Sequence, residues 1–267
     1  MVENLDIQRV LITGASSGIG ASFAKFLAGK GLLVFMTARR EERLEALKRE
    51  IDQAGGQADY LAGDISSDEF RNQLIETVRT KGALDVLINN AGFGWYGYFN
   101  QMQWQDARNL LAVNVEALAH LTRLALPDML ARRSGHIVNI SSIAGGLPNQ
   151  GIAMYAASKA FVDAFTTALY RELRGSGVTA SAMRLGAIKT EFYERARSLK
   201  NGSAVPAERY AIPVERVNSA LWHLLRRPRR AMYVPGWLYL SRWVEPLFGA
   251  LIDPLGPLLL RRQNHSS

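Results

Sequence analysis

A tyrosine and a lysine lie four residues apart in the sequence MYAASK, at Tyr155 and Lys159. On a helix, residues at this spacing share one face, so the phenol would lie one turn from an ammonium group. A free phenol has a pKa of about 10, and a neighbouring cation favours its charged form. The spacing therefore predicts a phenol of lowered pKa that exchanges a proton. The structural alternative is a packed ring beside a solvent-reaching lysine.

A glycine-rich turn comes early in the chain, in TGASSGIG at residues 13–20, between a predicted strand and a predicted helix. Backbone N–H groups in such a turn, with the helix N-terminus behind them, can bind a phosphate, which indicates a dinucleotide site. The same letters fit the Gly-x-Ser-x-Gly nucleophile elbow of hydrolases, with Ser16 as nucleophile. None of the four histidines stands at a convincing position for the base that this alternative needs.

The second predicted strand ends in VFMTARREERL. A carboxylate there would bind the adenosine ribose hydroxyls of NAD, whereas an arginine accommodates the 2′-phosphate of NADP. Ala38 is followed by Arg39 and Arg40, and a guanidinium can meet a phosphate with two parallel hydrogen bonds. The sequence therefore favours NADP, with Arg39 facing the phosphate. Arg40 is predicted to begin a solvated helix with Glu41 and Glu42.

The elements that must position these groups alternate along the chain. Apolar runs predict strands at Arg9–Thr13, Leu32–Thr37, Ala58–Ala62, Leu84–Asn89, His136–Ser141, Val178–Arg184 and Ala231–Val234. Periodic segments predict helices near residues 19–30, 41–54, 67–80, 104–131, 152–174 and 214–226. The alternation favours an α/β, doubly wound Rossmann fold: a seven-stranded, mainly parallel sheet with helices on both faces.

One domain is predicted over residues 1–267, because no repeat or polar linker divides the chain. In this interpretation residues 8–190 form the cofactor-binding and catalytic core. Residues 186–267 add a substrate loop and an irregular C-terminal extension, where Gly and Pro interrupt the pattern.

Further motifs stand at consistent distances from the first two: NNAG at residues 89–92, then Asn114, then Ser142 in NISSIAGG. With TGASSGIG and YAASK, in this order, they make residues 8–190 resemble the short-chain dehydrogenase/reductase (SDR) family, and its NADP-preferring members in particular. The resemblance implies an oxidoreductase that transfers a hydride between NADP(H) and the carbonyl or alcohol carbon of a small molecule.

The resemblance also implies roles for single residues. Tyr155 would be the acid/base at the substrate oxygen, and Lys159 would lower its pKa and bind the nicotinamide ribose. Ser142 would hydrogen-bond the substrate oxygen, and Asn114 would hold a water that extends the proton relay. The implied cofactor-binding residues are Gly14, Ser16, Ser17, Gly18, Ile19, Gly20, Arg39, Asp64, Ile65, Asn90, Ala91, Gly92, Tyr155, Lys159, Gly186, Ile188 and Thr190.

One position departs from the family pattern, because Leu185 stands before Gly186 where the family usually has proline. Leucine lacks the fixed φ of proline, so a less rigid loop over the nicotinamide is expected. Asn89 and Asn90 have an alternative role as strand-end residues that satisfy backbone groups. Ser141 is expected to be a structural hydroxyl.

Aromatic residues crowd the loop GFGWYGYF, at Phe93, Trp95, Tyr96, Tyr98 and Phe99. They predict either the wall of an apolar pocket for a hydrophobic carbonyl or alcohol substrate, or a layer packed under the C-terminal extension. Both alternatives remain open from the sequence.

The C-terminal extension is apolar and basic. Residues 193–267 carry 12 Lys and Arg against 5 Asp and Glu. No apolar run there reaches the roughly 18–20 residues that span a bilayer. The extension is therefore predicted to be a lid, a subunit contact or a segment on an anionic membrane surface. Its large apolar residues include Trp237, Leu238, Trp243, Leu247, Phe248, Leu251, Ile252 and Leu258–Leu260.

The composition and the first residues limit which kinds of site, compartment and partner are expected. The chain has no cysteine, which excludes disulfides and thiolate metal sites, and no metal site is predicted. The acidic first residues do not resemble a secretory signal, so a cytoplasmic protein, or one peripheral to a membrane, is expected. Nucleic acid is not a predicted partner despite a net charge of +8.

The family resemblance implies a homodimer or homotetramer, formed through the long helices near 104–131 and 152–174. The competing function is a non-catalytic NADP-binding protein with a regulatory or membrane-peripheral scaffold role. Such a protein would have no need of a tuned phenol.

Overall fold

The computed structural model describes residues 7–202 and 206–255, without the side chains of Arg195, Pro206 and Leu255. Within these ranges the predicted strands are all present. They are β1 Arg9–Thr13, β2 Leu33–Ala38, β3 Gln57–Ala62, β4 Val86–Asn89, β5 Gly135–Ser142, β6 Val178–Leu185 and β7 Ala231–Val234. The seven strands form one sheet in the order β3-β2-β1-β4-β5-β6-β7, and every neighbouring pair is parallel.

Helices cover both faces of this sheet. The described helices are α1 Gly18–Ala28, α2 Glu41–Gln53, α3 Asp68–Thr80, α4 Trp104–Leu111, α5 Leu118–Arg132, α6 Ala153–Glu172, α7 Phe192–Ser198, α8 Glu215–Arg226 and α9 Val244–Ile252. One apolar cluster lies between the sheet and α1, α2 and α8, and a second lies between the sheet and α3, α5 and α6. The doubly wound α/β prediction is confirmed.

Strand β1 shows why the strands of this sheet are apolar at successive positions and do not alternate with polar residues. Val10, Leu11 and Ile12 are all fully buried. Val10 and Ile12 belong to one apolar cluster and Leu11 to the other, because successive side chains of a strand point to opposite faces. A parallel sheet covered on both sides therefore needs apolar residues at every position.

Two predictions of local structure were incomplete. The predicted helix 104–131 is interrupted by a π-helical segment, Ala112–Ala117, that joins α4 to α5. The chain after residue 186 is less irregular than predicted, since it contains α7 and α9. In α9, Pro246 lies in the first turn, where its missing N–H breaks no helical hydrogen bond. The apolar Leu258–Leu260 lies outside the described residues.

The direction in which successive strands are added to the sheet reverses between β1 and β4. β2 and β3 lie on one side of β1, and β4 to β7 lie on the other. Ligands of such sheets bind at this reversal, beyond the carboxyl ends of the strands. Because all strands are parallel, the residues that follow β1, β2, β4, β5 and β6 meet at one edge. Within 7–202 and 206–255, the helices are each too short or too polar to cross a bilayer.

The turn after β5 packs directly against α6, which carries Tyr155 and Lys159. A Cβ atom on Gly145 would lie 2.7 Å from the carbonyl carbon of Lys159 and 2.8 Å from its oxygen. The next residue, Gly146, would meet no atom within 4 Å. The spacing between β5 and α6 therefore depends on the absence of a side chain at Gly145.

Gly145→Ala is expected to lower the free energy of unfolding by about 1–3 kcal/mol, because the added methyl must push α6 from β5. Gly146→Ala is the matched control and should change it by less than about 0.5 kcal/mol. Urea denaturation of both variants measures the difference. Equal losses would contradict the proposed contact.

Candidate active site

A cleft of about 600 Å³ opens at the carboxyl edge of the sheet. Its lining contains all the predicted site residues except Gly20 and Asn114, which lie behind the surface residues. The predicted residues in the lining are Gly14, Ser16, Ser17, Gly18, Ile19, Arg39, Asp64, Ile65, Asn90, Ala91, Gly92, Ser142, Tyr155, Lys159, Gly186, Ile188 and Thr190. One cavity therefore holds both the glycine turn and the Tyr–Lys pair.

Each glycine of the turn occupies a position where a side chain would be unfavourable. Gly14 and Gly18 have φ angles of +67° and +56°, a region that side chains disfavour. A Cβ on Gly14 would also lie 2.8 Å from the Cα of Ala91, so the turn lies directly on the chain that follows β4. Gly20 does not line the cleft, and a Cβ there would clash with the carbonyl oxygen of Gly14. Its role in this structure is packing beneath the turn.

The start of α1 suits a phosphate. Ser17 is the N-cap residue, yet its side chain makes no capping hydrogen bond. The N–H groups of the first turn therefore lack a side-chain acceptor and lie at the positive end of the helix dipole. Together with the side-chain-free turn, this arrangement fits the pyrophosphate of a dinucleotide.

Arg40, which was predicted to be an ordinary surface residue, contacts the glycine turn. Its Nη2 donates to the hydroxyl oxygens of Ser16 at 3.0 Å and Ser17 at 2.8 Å. Its Nη1 lies 3.4 Å from a carboxylate oxygen of Glu191. Arg39 lines the cleft but is exposed. Arg40 precedes the solvated helix α2 as its N-cap residue, as predicted, but its contact with the glycine turn was not predicted, because a strand end does not reveal where a following side chain reaches.

Asp64 and Ile65, predicted to contact adenine, lie at the end of the cleft that follows β3. The Ile65 carbonyl oxygen accepts a 2.8 Å hydrogen bond from Nη1 of Arg71, whose side chain is 1% exposed. Nε of Arg71 donates in turn to Nδ1 of His120 at 2.9 Å. Arg71 is thus a buried support for this loop. Sequence reasoning missed it because an arginine in an amphipathic helix normally reaches solvent.

The two strand-end asparagines have different environments. Asn90 lines the cleft, and its Nδ2 donates to the carbonyl oxygens of Thr13 at 2.9 Å and Gly14 at 3.2 Å. Asn89 is buried within the sheet and donates to Oδ1 of Asn139 at 2.9 Å. Both therefore satisfy polar groups of the scaffold, and Asn90 also holds the glycine turn against β4.

Tyr155 lies beside Ser142 at the centre of the cleft. Burial of the phenol raises the pKa of Tyr155 to about 12, and this effect outweighs that of the neighbouring Ser142 hydroxyl, which lowers the pKa. The net shift is therefore opposite to the lowering that the spacing to Lys159 predicted. The ammonium nitrogen is 5.8 Å from the centre of the ring, and desolvation is the larger effect.

Lys159 is nearly fully buried and is held at its tip. Its Nζ donates to the carbonyl oxygen of Ile140 in β5 at 2.8 Å. Burial lowers the pKa of Lys159 to about 8, while the carboxylate of Asp163, one helical turn away, raises it. The side chain is thus mostly protonated at neutral pH. Asp163 is itself paired with Arg184, with Oδ1 and Nε 3.0 Å apart.

Asn114 lies in the π-helical segment and is 1% exposed. Its Oδ1 accepts from the N–H of Phe93 at 3.1 Å, and its Nδ2 donates to the carbonyl oxygen of Phe93 at 3.0 Å. A third bond, 3.1 Å long, runs from Nδ2 to the hydroxyl of Ser158. Asn114 therefore fixes the chain after β4 against α6.

Gly92 shows how close this fixed chain comes to Lys159. A Cβ on Gly92 would lie 3.0 Å from Oδ1 of Asn114 and 3.6 Å from Nζ of Lys159. The amide and the ammonium group therefore face the same narrow space beside Gly92.

The loop after β6 is tied down although Leu185 replaces the expected proline. The N–H of Gly186 donates to the carbonyl oxygen of Val234 at 2.9 Å. Ile212 donates to Ala187 at 2.9 Å and accepts from Lys189 at 3.0 Å. These backbone bonds restrain the loop where a fixed φ is missing.

Phe192 begins α7 immediately after this loop, and its ring is 5.5 Å from that of Tyr155. Sequence reasoning missed this wall of the site because α7 is a short helix with few periodic positions.

The aromatic loop divides into two parts. Phe93 and Trp95 are buried and line the cleft, whereas Tyr98 and Phe99 are exposed. Nε1 of Trp95 donates to the carbonyl oxygen of Lys200 at 3.2 Å, so the loop packs on the segment after α7. The extension instead contacts the cleft rim through Leu238, close to Gly186.

Comparison with known proteins identifies the family. The family described as short chain dehydrogenase matches residues 8–201. The chain therefore belongs to the short-chain dehydrogenase family of oxidoreductases, as its motifs predicted.

Individual relatives agree with this assignment. An uncharacterized oxidoreductase of Myxococcus xanthus is 35% identical over 188 residues, which span 70% of this chain and 74% of that protein. A 3-oxoacyl-[acyl-carrier-protein] reductase of Synechocystis is 34% identical over 234 residues, or 87% and 94% of the two chains. The solved structure of a short-chain dehydrogenase from Sphingobium yanoikuyae in complex with NADPH has a TM-score of 0.80 and 31% identity, and covers 93% and 95%.

Asn114→Ala is expected to lower the free energy of unfolding by about 2–4 kcal/mol, because it removes two hydrogen bonds to the buried backbone of Phe93. Asn109→Ala, on the exposed face of α4, is the matched control and should cost less than about 0.5 kcal/mol. Chemical denaturation measures both. A loss for Asn114→Ala no larger than the control's would contradict the clamp on Phe93.

Proposed function

We propose that this protein is an NADP(H)-dependent oxidoreductase that interconverts a carbonyl group and an alcohol on a hydrophobic small molecule, with Tyr155 as the acid/base. The observation that carries the proposal is that Tyr155, Ser142 and Lys159 line the same cleft as the phosphate-binding turn. This assembled set argues against a role limited to cofactor binding.

In the direction of reduction, a protonated group must deliver a proton to the substrate oxygen. The raised pKa of Tyr155, about 12, keeps its phenol protonated at neutral pH. Ser142 hydrogen-bonds the same oxygen and aligns it with the phenol. Lys159 keeps a positive charge close by, which stabilises the phenolate that remains after the transfer. The hydride is supplied by the nicotinamide cofactor.

NADP(H) is the proposed cofactor. The first turn of α1 would bind the pyrophosphate, and Asp64 and Ile65, which line the cleft, would contact adenine. Arg39 and Arg40, at the end of β2, offer guanidinium donors for the adenosine 2′-phosphate. Ile188 and Thr190 would face the carboxamide. The NADPH complex of the Sphingobium yanoikuyae relative supports this assignment.

A hydrophobic carbonyl compound or alcohol is the proposed substrate. The end of the cleft around Tyr155 is lined by Phe93, Trp95 and Phe192, whose rings favour an apolar ligand. The name of the Synechocystis relative, a 3-oxoacyl-[acyl-carrier-protein] reductase, supports reduction of a carbonyl group.

Two kinds of contact are proposed beyond the substrate. A homodimer or homotetramer would form through α4, α5 and α6, whose outer faces leave Trp104, Leu130 and Phe161 exposed. A peripheral contact with an anionic membrane, for a protein otherwise in the cytoplasm, would use the C-terminal extension. This second contact is supported by the exposed apolar residues Trp237, Tyr239, Leu240, Trp243, Leu247, Phe248 and Leu251.

Tyr155→Phe is expected to lower the rate of carbonyl reduction by about 10²–10⁴-fold, because the ring keeps its packing but has no proton to give. The dissociation constant for NADPH should stay within about twofold. Tyr170→Phe, elsewhere on α6, is the matched control and should retain the rate. A panel of ketones and aldehydes supplies the assay, and retained turnover by Tyr155→Phe would refute the assignment.

The double variant Trp237→Ala/Leu240→Ala is expected to bind vesicles of phosphatidylglycerol and phosphatidylcholine about tenfold more weakly than the parent protein, because two exposed apolar side chains are lost. Tyr210→Ala, another exposed aromatic position, is the control and should bind as the parent does. Co-sedimentation measures the bound fraction. Equal binding by all three proteins, or none by the parent, would exclude a membrane contact through this surface.

A further inference from the structure

Glu191 lies across the cleft rim from the two arginines at the start of α2. Both of its carboxylate oxygens accept from Nη1 of Arg43 at 2.8 Å, and one lies 3.4 Å from Nη1 of Arg40. The hydrogen bond from Arg43 lowers the pKa of Glu191, so the group is a carboxylate at neutral pH. The guanidinium groups of Arg40 and Arg43 on this rim are therefore already paired with a carboxylate of the protein itself.

The position of Glu191 is fixed by the loop that carries it. Its neighbour Thr190 lies against the glycine turn, since a Cβ on Gly18 would be 3.2 Å from the Cβ of Thr190. The preceding residues are held by two backbone bonds, in which the N–H of Lys189 donates to the carbonyl oxygen of Ile212 and the N–H of Ile212 donates to that of Ala187. The carboxylate thus lies beside the turn and is not carried there by a free chain end.

The groups that contact Arg40 differ in whether they are compatible with a phosphate bound to the same guanidinium. Its bonds to Ser16 and Ser17 are to neutral hydroxyls, which keep their place beside a bound phosphate. Its contact with Glu191, in contrast, is to a carboxylate, which is an anion like the phosphate. A phosphate and a carboxylate that share one guanidinium repel each other, and both need the same N–H donors.

We propose that Glu191 is a cofactor-discriminating residue, whose carboxylate competes with the adenosine 2′-phosphate of NADP(H) for Arg40. The inference rests on the proposed function, in which Arg40 is one of the two arginines that bind that phosphate. In this arrangement Glu191 weakens the binding of NADP(H) and leaves the binding of NAD(H), which has no 2′-phosphate, unchanged.

An alternative role for the same contact predicts the opposite sign. If the Glu191–Arg43 pair were a strap that closes over the whole cofactor, its loss would weaken NADPH and NADH alike. Competition for a phosphate site instead acts only on the phosphorylated dinucleotide. The two cofactors therefore separate the roles without any measurement of turnover.

The experiment measures dissociation constants of NADPH and NADH for the full-length protein, by calorimetry at low ionic strength, in the parent and in Glu191→Gln. Glu45→Gln is the matched control, because Glu45 is also an exposed acid paired with an arginine, Arg49 at 3.4 Å on α2, but does not line the cleft. We expect Glu191→Gln to bind NADPH about two- to fivefold more tightly, with NADH and the control unchanged.

Each other outcome counts against the proposal. If Glu191→Gln binds both NADPH and NADH more weakly, the contact is a strap. If it binds both as the parent does, or both more tightly by the same factor, Glu191 does not discriminate between the cofactors. The parent protein tests the cofactor assignment separately. A parent that binds NADH more tightly than NADPH would refute NADP(H) as cofactor, whereas the ratio between Glu191→Gln and the parent still measures the competition.

Discussion

The hydrogen bond from Nζ of Lys159 to the carbonyl oxygen of Ile140 joins the two elements on which the site depends. It connects α6, which carries Tyr155, to β5, which ends in Ser142. Gly145 allows the two elements to approach this closely, and the hydroxyl of Ser141 adds a 3.3 Å bond to the carbonyl oxygen of Lys159. The phenol and the serine hydroxyl are thus placed by the same contact between helix and strand that buries the lysine.

Burying an ammonium group has an electrostatic cost, and the structure offsets it in two ways. The Ile140 carbonyl oxygen provides a direct acceptor, and Asp163 provides a negative charge one turn along the helix. That carboxylate would itself be costly to bury, but Arg184 lies beside it in β6. Arg184 also bonds the hydroxyl of Tyr233 in β7. A row of alternating charges therefore runs from Lys159 through Asp163 to Arg184, and a hydrogen bond continues it to Tyr233 on the edge strand.

The sequence was sufficient for the fold and for most of the cleft, because these depend on local patterns. A strand such as β1 is apolar at every position only if both faces are covered, and the glycines of TGASSGIG indicate a tight turn. The direction of a single long side chain is not a local property. Arg39 and Arg40 are adjacent in the sequence, and only the structure shows that the half-exposed side chain of Arg40 contacts the serines of the glycine turn.

The pKa of Tyr155 could not be predicted for a related reason. The spacing to Lys159 sets how far the cation is along the helix, but the net shift depends on how much protein surrounds the phenol. That surrounding material includes Phe192 of α7, a short helix with a weak sequence signal. Arg71 shows the same effect, because its burial depends on Glu116 and His120, which are distant in the chain.

The π-helical segment Ala112–Ala117 holds one residue more than the α-helical turn it replaces. That extra residue rotates Asn114 by roughly 100° relative to α5, which lets the amide face Phe93 while the apolar residues of α5 still face the sheet. A deletion of one residue here would give a more regular helix with better hydrogen bonds along its axis. It would also turn either the amide of Asn114 away from Phe93 or the apolar face of α5 away from the core. A regular helix at this point is therefore incompatible with the arrangement of the site.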